Sequence, residues 1–356
     1  MTDSQPTHHI SNILTNWYGQ NKRELPWRDI SDPYKIWISE IILQQTRVNQ
    51  GLSYYLRFIE RFPTVTQLAA AEEDEVLKYW QGLGYYSRAR NLHKAAKQIA
   101  SKFNSIFPND HNDVLQLAGI GDYTGAAICS FAYNQDYAVV DGNVYRVLSR
   151  LFGVTTPIDS TPGKKEFAEL AKKLLPKNEA GLHNQAIMEF GALQCIPTSP
   201  DCLNCPMQDS CQAFQTNLVS TLPVKAKKTK VTNRFFNYLF IEFQGNTFLQ
   251  KRTKKDVWQN LYEFPLIESE KLLSSQELIE NEYFKTLLAE TAEVDIYKTS
   301  NPMKHVLSHR VIYAQFITIR VNELNEELKK YTKTPINGID KFAVSRLMEL
   351  FLEKLD

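Results

Sequence analysis

LAGIGDYTGAAI (117–128), followed by VVDGNVYRVLSRLFG (139–153), decides how the longer part of this 356-residue chain is read. Gly119 and Gly121 stand between two helical patterns. They can take backbone conformations closed to other residues and let a second backbone approach closely. The turn then opens a helix near Tyr123, whose unpaired amides and positive dipole end form a seat for a phosphate. Alone, a Gly-x-Gly of this kind is an ordinary helix–helix turn. About twenty residues on, Asp141 lies between a short apolar run and a helix, the position of an N-cap. A carboxylate at such a loop can also face a cleft.

The surrounding sequence, from residue 8 to about 215, reads as mostly helical. Apolar residues recur at helical spacing in 36–59, 65–80, 87–103 and 164–175. Thr64-x-x-Gln67 has capping-box form at the start of the second of these. The breaks QGLG, FPND, LAGIG and PKNEAG carry glycine, proline or asparagine. The composition then changes. TLPVKAKKTK (221–230) holds four lysines in its last six residues and reads as an exposed tether. Beyond it, 234–252 contains two β-rich runs around Gly245-Asn246, a hairpin signal. RVIYAQFITIRV (310–321) reads as a strand, and helical patterns return at 269–290 and 339–355. The expected organisation is a helical domain over 1–220, a basic linker over 221–233 and a separate α+β domain over 234–356.

Charge is balanced, 41 basic against 40 acidic side chains, so the total neither favours nor excludes nucleic acid. A hydrophobic fraction of 43% and an aromatic fraction of 12% suit an ordinary globular protein. No apolar run nears the roughly 20 residues of a membrane span, so no membrane partner is expected. The polar start MTDSQPTHH lacks the apolar stretch of a secretory signal, and a cytoplasmic location with reduced thiols is expected.

Against that background, Cys195, Cys202, Cys205 and Cys211 form a Cys-x6-Cys-x2-Cys-x5-Cys set in a proline-punctuated loop. Clustered cysteines in a reducing compartment usually hold metal. Tetrahedral zinc and an iron–sulfur cluster both take four thiolates. A single Cys-x2-Cys knuckle favours the cluster modestly, since structural zinc sites tend to pair two knuckles. Cys129, in the apolar AAICSFAY, reads as a small buried hydrophobe.

Together, the Gly-Ile-Gly turn, Asp141 and the cysteine loop resemble helix–hairpin–helix DNA glycosylases carrying a 4Fe–4S cluster. LPWRDISDPYKIWISEIILQQTRV (25–48) and QGLGYYSRARNL (81–92) narrow the likeness to the adenine DNA glycosylase (MutY) family. The resemblance implies a mainly α helix–hairpin–helix glycosylase fold with an iron–sulfur loop, and removal of adenine mispaired with 8-oxoguanine or guanine in base excision repair. It implies Cys195, Cys202, Cys205 and Cys211 as cluster ligands. Relatives of the endonuclease III type use a lysine nucleophile in the hairpin turn. Tyr123 occupies that position here, so imine chemistry is unavailable and a monofunctional hydrolase is implied.

Breaking an N-glycosidic bond needs a proton for the departing purine and a counter-charge for an oxocarbenium-like sugar, hence two carboxyl groups of different pKa. Glu40 lies in an apolar helical stretch. Burial statistics favour an exposed carboxyl there, but the resemblance makes Glu40 the general acid and then the base that handles water. By the same likeness Asp141 stabilises or captures the anomeric carbon, with Asn143 and Tyr123 supporting the pair. The target base must leave the duplex first. The family pattern makes Gln45 and Tyr85 wedges, with Tyr86 and Arg88 as neighbours, and maps Trp27, Arg28, Leu43 and Gln185 to the adenine pocket.

WQNLYEFP (258–265) and KHVLSHR (304–310) resemble the Nudix-like lesion-recognition domain of the same family, without a Nudix box. The family's Phe-Ser-His loop is Leu307-Ser308-His309 here, which leaves Ser308 and His309 as partners for 8-oxoguanine. His305 and His309 are four apart but lack a third metal ligand. The expected partner is double-stranded DNA containing adenine opposite 8-oxoguanine, bound by a monomer in the cytoplasm at the nucleoid. Two other functions compete: a glycosylase for a different mispair, and an iron–sulfur DNA-binding module without catalysis. Gln45 and the C-terminal domain speak against the first, Glu40 and Asp141 against the second.

Overall fold

A computed structural model describes residues 5–226, 231–289 and 293–355. The chain divides into two compact units, Met1–Ala70 with Asn91–Lys227, and Ala71–Arg90 with Lys228–Asp356. Twelve α-helices precede the first strand among the described residues: α1 (Gln5–Asn21), α2 (Pro33–Leu43), α3 (Val48–Arg61), α4 (Val65–Ala70), α5 (Glu73–Trp80) and α6 (Ser87–Lys102) come first. They are followed by α7 (His111–Leu115), α8 (Asp122–Tyr133), α9 (Gly142–Leu151), α10 (Thr161–Leu174), α11 (Ala180–Leu193) and α12 (Gln212–Gln215).

The first unit is built around helices that are apolar nearly all round, the signature of interior helices. In α8 every residue from Thr124 to Ser130 is buried, including Cys129. Eight of the eleven residues of α2 are buried too, Glu40 among them. Asp32 starts α2 by accepting from the amides of Tyr34 and Lys35, and Pro33 follows it, where a missing N–H costs nothing. The helical pattern over 36–59 is two helices in the structure. The chain breaks at Gln44–Arg47, with Gln45 in the left-handed region at φ 59° and exposed. No glycine or proline announces this break. The pattern over 65–80 likewise splits at Ala71–Glu72, after which Glu73, Asp74 and Glu75 fill the first turn of α5, where the helix dipole favours negative charge.

The second unit contains two sheets. Strands β1 (Thr232–Glu242), β4 (Leu266–Ser269), β5 (Val294–Thr299), β6 (Met303–Val306) and β7 (Arg310–Val321) form a mixed sheet, order β4-β1-β7-β5, with β6 also paired to β7. β1 and β7 run parallel from Thr232↔Arg310 to Glu242↔Arg320. β2 (Asn246–Lys251), β3 (Tyr262–Glu263) and β8 (Thr332–Pro335) form the second sheet. The expected hairpin turn exists one residue earlier, at Gln244-Gly245, both with positive φ. Beyond it the two strands part into different sheets. The helical pattern over 269–290 is interrupted at Asn281, which caps α14 (Glu282–Leu287) after α13 (Ser275–Glu280); α15 (Arg346–Leu352) closes the chain.

Residues 71–90 belong with the second unit for visible reasons. Asp74 pairs with Lys251 and accepts from Tyr262, Lys78 donates to the carbonyl of Phe342, and Gln81 accepts from the amide of Val344. At the other boundary, part of the expected tether is docked on the first unit. Leu222 is buried, Arg150 Nε donates to its carbonyl, and the carbonyl of Val224 accepts from Ile158. Lys227, Lys228 and Lys230 of that segment lie outside the described residues.

One close approach between helices fixes the start of α9. α11 crosses the first turn of α9 at Gly191, where a Cβ would lie 2.7 Å from the Cβ of Asn143 and 2.9 Å from its carbonyl oxygen. Gly191→Ala must push backbone, and we expect it to lower stability by roughly 1–3 kcal/mol. An unchanged denaturant midpoint would contradict that contact.

Candidate active site

Three helices of the first unit bring the two carboxyl groups together. Glu40 comes from the interior of α2, 7% exposed. Tyr123, in the first turn of α8, donates its hydroxyl hydrogen to Glu40 Oε2 at 2.6 Å. Asp141 is the N-cap of α9: its Oδ1 accepts from the amide of Val144 at 2.7 Å and its Oδ2 from Asn143 Nδ2 at 2.9 Å. The N-cap and the site carboxylate are thus the same residue. Gln44 Nε2 donates to Thr124 Oγ1 at 3.1 Å, tying the end of α2 to α8. The exposed reading of Glu40 is corrected here: α2 has no polar face at that point.

Burial pushes Glu40 up to about 7; the Tyr123 hydrogen bond and the Arg28 charge oppose this, and the Asp141 charge adds to it. A carboxyl so placed holds a proton near neutrality and can give it away. Burial raises Asp141 as well, against the hydrogen bonds from Val144 and Asn143 that favour its anion. Tyr123 is raised well above its ordinary value by burial and the two neighbouring carboxylates, so it stays a donor.

Arg28, assigned to the base pocket from sequence, is placed by a residue that sequence reading missed. Glu189, 1% exposed on α11, accepts from Arg28 Nη2 at 2.6 Å, and from Arg23 Nε at 2.8 Å and Nη2 at 2.6 Å. Burial pushes Glu189 up, but the Arg23 hydrogen bonds and the Arg28 charge outweigh it and hold the carboxyl below its ordinary value. Arg28 Nη1 also donates to Tyr18, which in turn donates to Gln185. Trp27 is buried edge-on against Tyr55, and half-buried Leu43 ends α2. An apolar helix carrying one acidic residue, as in AGLHNQAIMEFGAL, is the only sequence signal that would have singled out Glu189.

The hairpin turn has the conformation its glycines allow. Gly119 sits at φ 78° with the place of its Cβ 2.7 Å from Asn91, and Gly121 is the N-cap of α8 without a side chain in the way. Its amide-rich helix start suits a phosphate.

The four cysteines line one cavity with Val147, Leu151, Phe190 and Met207. Among the described residues no three His, Cys, Asp or Glu side chains stand close enough to hold a single metal ion. Four thiols lining one cavity are a donor set that both an iron–sulfur cluster and tetrahedral zinc take. Two arginines of α9 hold this loop. Arg150 donates to the carbonyls of Ile196 and Pro197, with Nη1 3.5 Å from Cys195 Sγ. Arg146 donates from Nε to the carbonyl of Cys195 at 2.7 Å and from Nη2 to Asn143 Oδ1 at 2.9 Å. The cysteine loop is therefore three hydrogen bonds from Asp141.

Tyr85, Arg88, Ser308 and His309 lie in the second unit. Tyr85 has φ 47° and is half exposed; the guanidinium of Arg88 lies over its ring at 5.5 Å and over Trp80. Ser308 and His309 form the tip of the β6–β7 hairpin, closed by Leu307 N to Arg310 O at 2.8 Å. Tyr85 and Ser308 hydroxyls are 2.5 Å apart.

Removing the Glu40 charge has opposite effects on stability and on chemistry. A raised folded pKa means that the folded state binds the extra proton between about pH 4.5 and 7, so stability falls as pH rises through that window. Glu40→Gln should therefore unfold at a higher denaturant concentration than the parent at pH 8, by up to roughly 3 kcal/mol, while the two converge near pH 4. Equal stabilities at both pH values would place the carboxyl in water. Glu40→Gln and Asp141→Asn should each lower single-turnover base release by at least about a hundredfold.

Residues 38–177 match the HhH-GPD superfamily base excision DNA repair protein profile, and residues 237–354 match a NUDIX domain. The adenine DNA glycosylase of Buchnera aphidicola subsp. Baizongia pistaciae is 33% identical, over 88% of this chain and 86% of its own. That of Arabidopsis thaliana is 31% identical over 91% of this chain and 59% of its own. Among solved structures, a thermostable thymine-DNA glycosylase superposes with a TM-score of 0.56 at 27% identity, covering 60% of this chain and all of that one. An endonuclease III–DNA complex, at 23% identity and a TM-score of 0.52, covers 61% of this chain and 99% of that one, and shares the helical fold. By sequence over nearly its whole length and by the fold of its first unit, the chain is a DNA glycosylase enzyme and belongs to the adenine DNA glycosylase family.

Proposed function

We propose that this protein hydrolyses the N-glycosidic bond of adenine mispaired with 8-oxoguanine, or with guanine, in double-stranded DNA. The observation that carries the reading is a carboxyl poised near pH 7 beside a carboxylate on a helix N-terminus. Glu40 gives its proton to the departing adenine as the glycosidic bond breaks. Asp141, favoured as an anion by the positive N-terminal end of the α9 dipole, balances the positive charge that develops on the sugar. Glu40, now a carboxylate, takes a proton from water as its oxygen bonds to the anomeric carbon. Tyr123 keeps Glu40 oriented. No amine stands where Tyr123 does, so an abasic site remains and the strand stays intact until alkali is added.

The mispair preference rests on the second unit. Tyr85 and Ser308 share a hydrogen bond, and both sit on exposed, sharply turned backbone suited to entering or reading a duplex. Half-buried Leu307 fills the place of the family's aromatic, leaving Ser308 and His309 exposed as the hydrogen-bonding pair. A panel of duplexes with adenine opposite 8-oxoguanine, guanine or thymine tests the reading by single-turnover release. Ser308→Ala should erode the preference for 8-oxoguanine by roughly tenfold, the effect of one or two buried hydrogen bonds. A point substitution serves better than truncation, because removing the second unit's strands would strip α5 of its partners. An unchanged ratio would assign recognition elsewhere.

The cysteine cavity fits a 4Fe–4S cluster, held by Cys195, Cys202, Cys205 and Cys211. The cluster would order the 195–211 loop and contribute no group to the reacting base. Anaerobically purified protein should be brown and carry about four irons per chain. Stoichiometric zinc without iron would overturn the assignment.

A further inference from the structure

The geometry points to Tyr18 and Glu189 as positioning residues that set which base the pocket accepts, by fixing the orientation of the Gln185 amide. The inference rests on adenine excision as the reaction and deepens that reading. Tyr18 is 2% exposed on α1 and Glu189 1% exposed on α11. The Tyr18 ring packs into the apolar core of the first unit, but its hydroxyl, like the Glu189 carboxylate, carries a polar group into the interior.

The direction of each hydrogen bond in the relay follows from chemistry. An arginine can only donate. Arg28 Nη2 therefore gives a hydrogen to Glu189 Oε2 at 2.6 Å, and Arg28 Nη1 gives one to the Tyr18 oxygen at 3.0 Å. With its oxygen already accepting, Tyr18 sends its own hydrogen to Gln185, 2.7 Å away. The Gln185 atom receiving it must be the carbonyl oxygen, Oε1. That leaves the N–H2 end of the amide for the pocket. An amide's two ends are otherwise nearly equivalent in shape, so an unanchored glutamine could present either. The Arg28 charge also reaches Glu40, which places the relay beside the carboxyl that protonates the base. Arg23, donating twice to Glu189 by its side chain and once from its backbone amide at 3.0 Å, keeps that carboxylate from swinging toward the site.

A pocket that offers a fixed N–H2 favours a base edge with a bare ring nitrogen. Adenine has one at N1; hypoxanthine, of nearly the same shape, carries a hydrogen there. Hypoxanthine's acceptor on that edge is O6, one position away, where adenine has its own N6 donor; an N–H2 held against N1 thus selects adenine over hypoxanthine. Glu189 and Tyr18 act through Arg28 and Gln185 and touch no substrate.

The test compares single-turnover release of adenine and of hypoxanthine, each opposite 8-oxoguanine in the same duplex. Tyr18→Phe removes one oxygen and keeps the ring. We expect the adenine-to-hypoxanthine rate ratio to fall about tenfold, the factor of one net hydrogen bond, with hypoxanthine release held or raised. General loosening of the fold would slow both bases together and leave the ratio alone. Should Tyr18→Phe fail to fold, Glu189→Gln addresses the relay from its other end and must lower the ratio in the same direction. A ratio that survives in a folded variant, with the parent active on adenine, overturns the relay and leaves adenine excision standing. A parent that releases neither base removes the adenine reading, and the relay with it.

Discussion

The bond from Tyr123 to Glu40 Oε2, in the buried packing of α2 against α8, is the contact on which the site depends. An acidic side chain in the interior of α2 is costly unless it is neutral or hydrogen-bonded. Around it α2 is mostly apolar, and Tyr123 of α8 donates to it. Because that donor is a neutral phenol and not a cation, it steadies the carboxyl without stripping its proton. A lysine in the same place would form an ion pair and hold Glu40 anionic. Tyr123, which stands where imine chemistry would need an amine, thus holds Glu40 by a bond that offsets only part of the rise caused by burial.

α9 joins the rest. Its N-cap is Asp141, its first turn carries Asn143, and its next turns carry Arg146 and Arg150, which grip the cysteine loop through backbone carbonyls. Gly191 lets α11 approach this helix closely enough for Arg146 Nη2 to reach its carbonyl at 2.6 Å. Loop order and Asp141 orientation are two ends of one rigid element. This ties the cysteine loop to Asp141 through Arg146 and Asn143.

Local signals in the sequence carried a good share of this. Gly119, Asp141 and the cysteine spacing each have a backbone or chemical reason that survives without tertiary context: Gly119 takes a positive φ, Asp141 caps α9 and the four cysteines line one cavity. The β7 strand was legible from a nearly continuous apolar and β-branched run that pairs on both sides. What stayed hidden depends on packing between distant segments. Glu40 alternates between a surface and a buried reading until α8 is laid against it. Glu189 and Tyr18 are 171 positions apart and meet only through Arg28. The break at Gln45 has no glycine to mark it, since here a glutamine takes the left-handed conformation. Residues 71–90 read as a continuation of the first helical domain because helical periodicity says nothing about which core a helix joins.

The proposed mechanism turns on the proton held by Glu40. Its titration can be followed directly by carbon NMR of protein labelled at glutamate carboxyls, with Glu40→Gln identifying the resonance. The structure predicts a midpoint near 7, and a further rise in Tyr123→Phe, because the hydrogen bond lost there favours the anion. A midpoint near the ordinary 4.5 in the parent protein would mean that Glu40 is ionised throughout the neutral range, and would contradict its role as the acid.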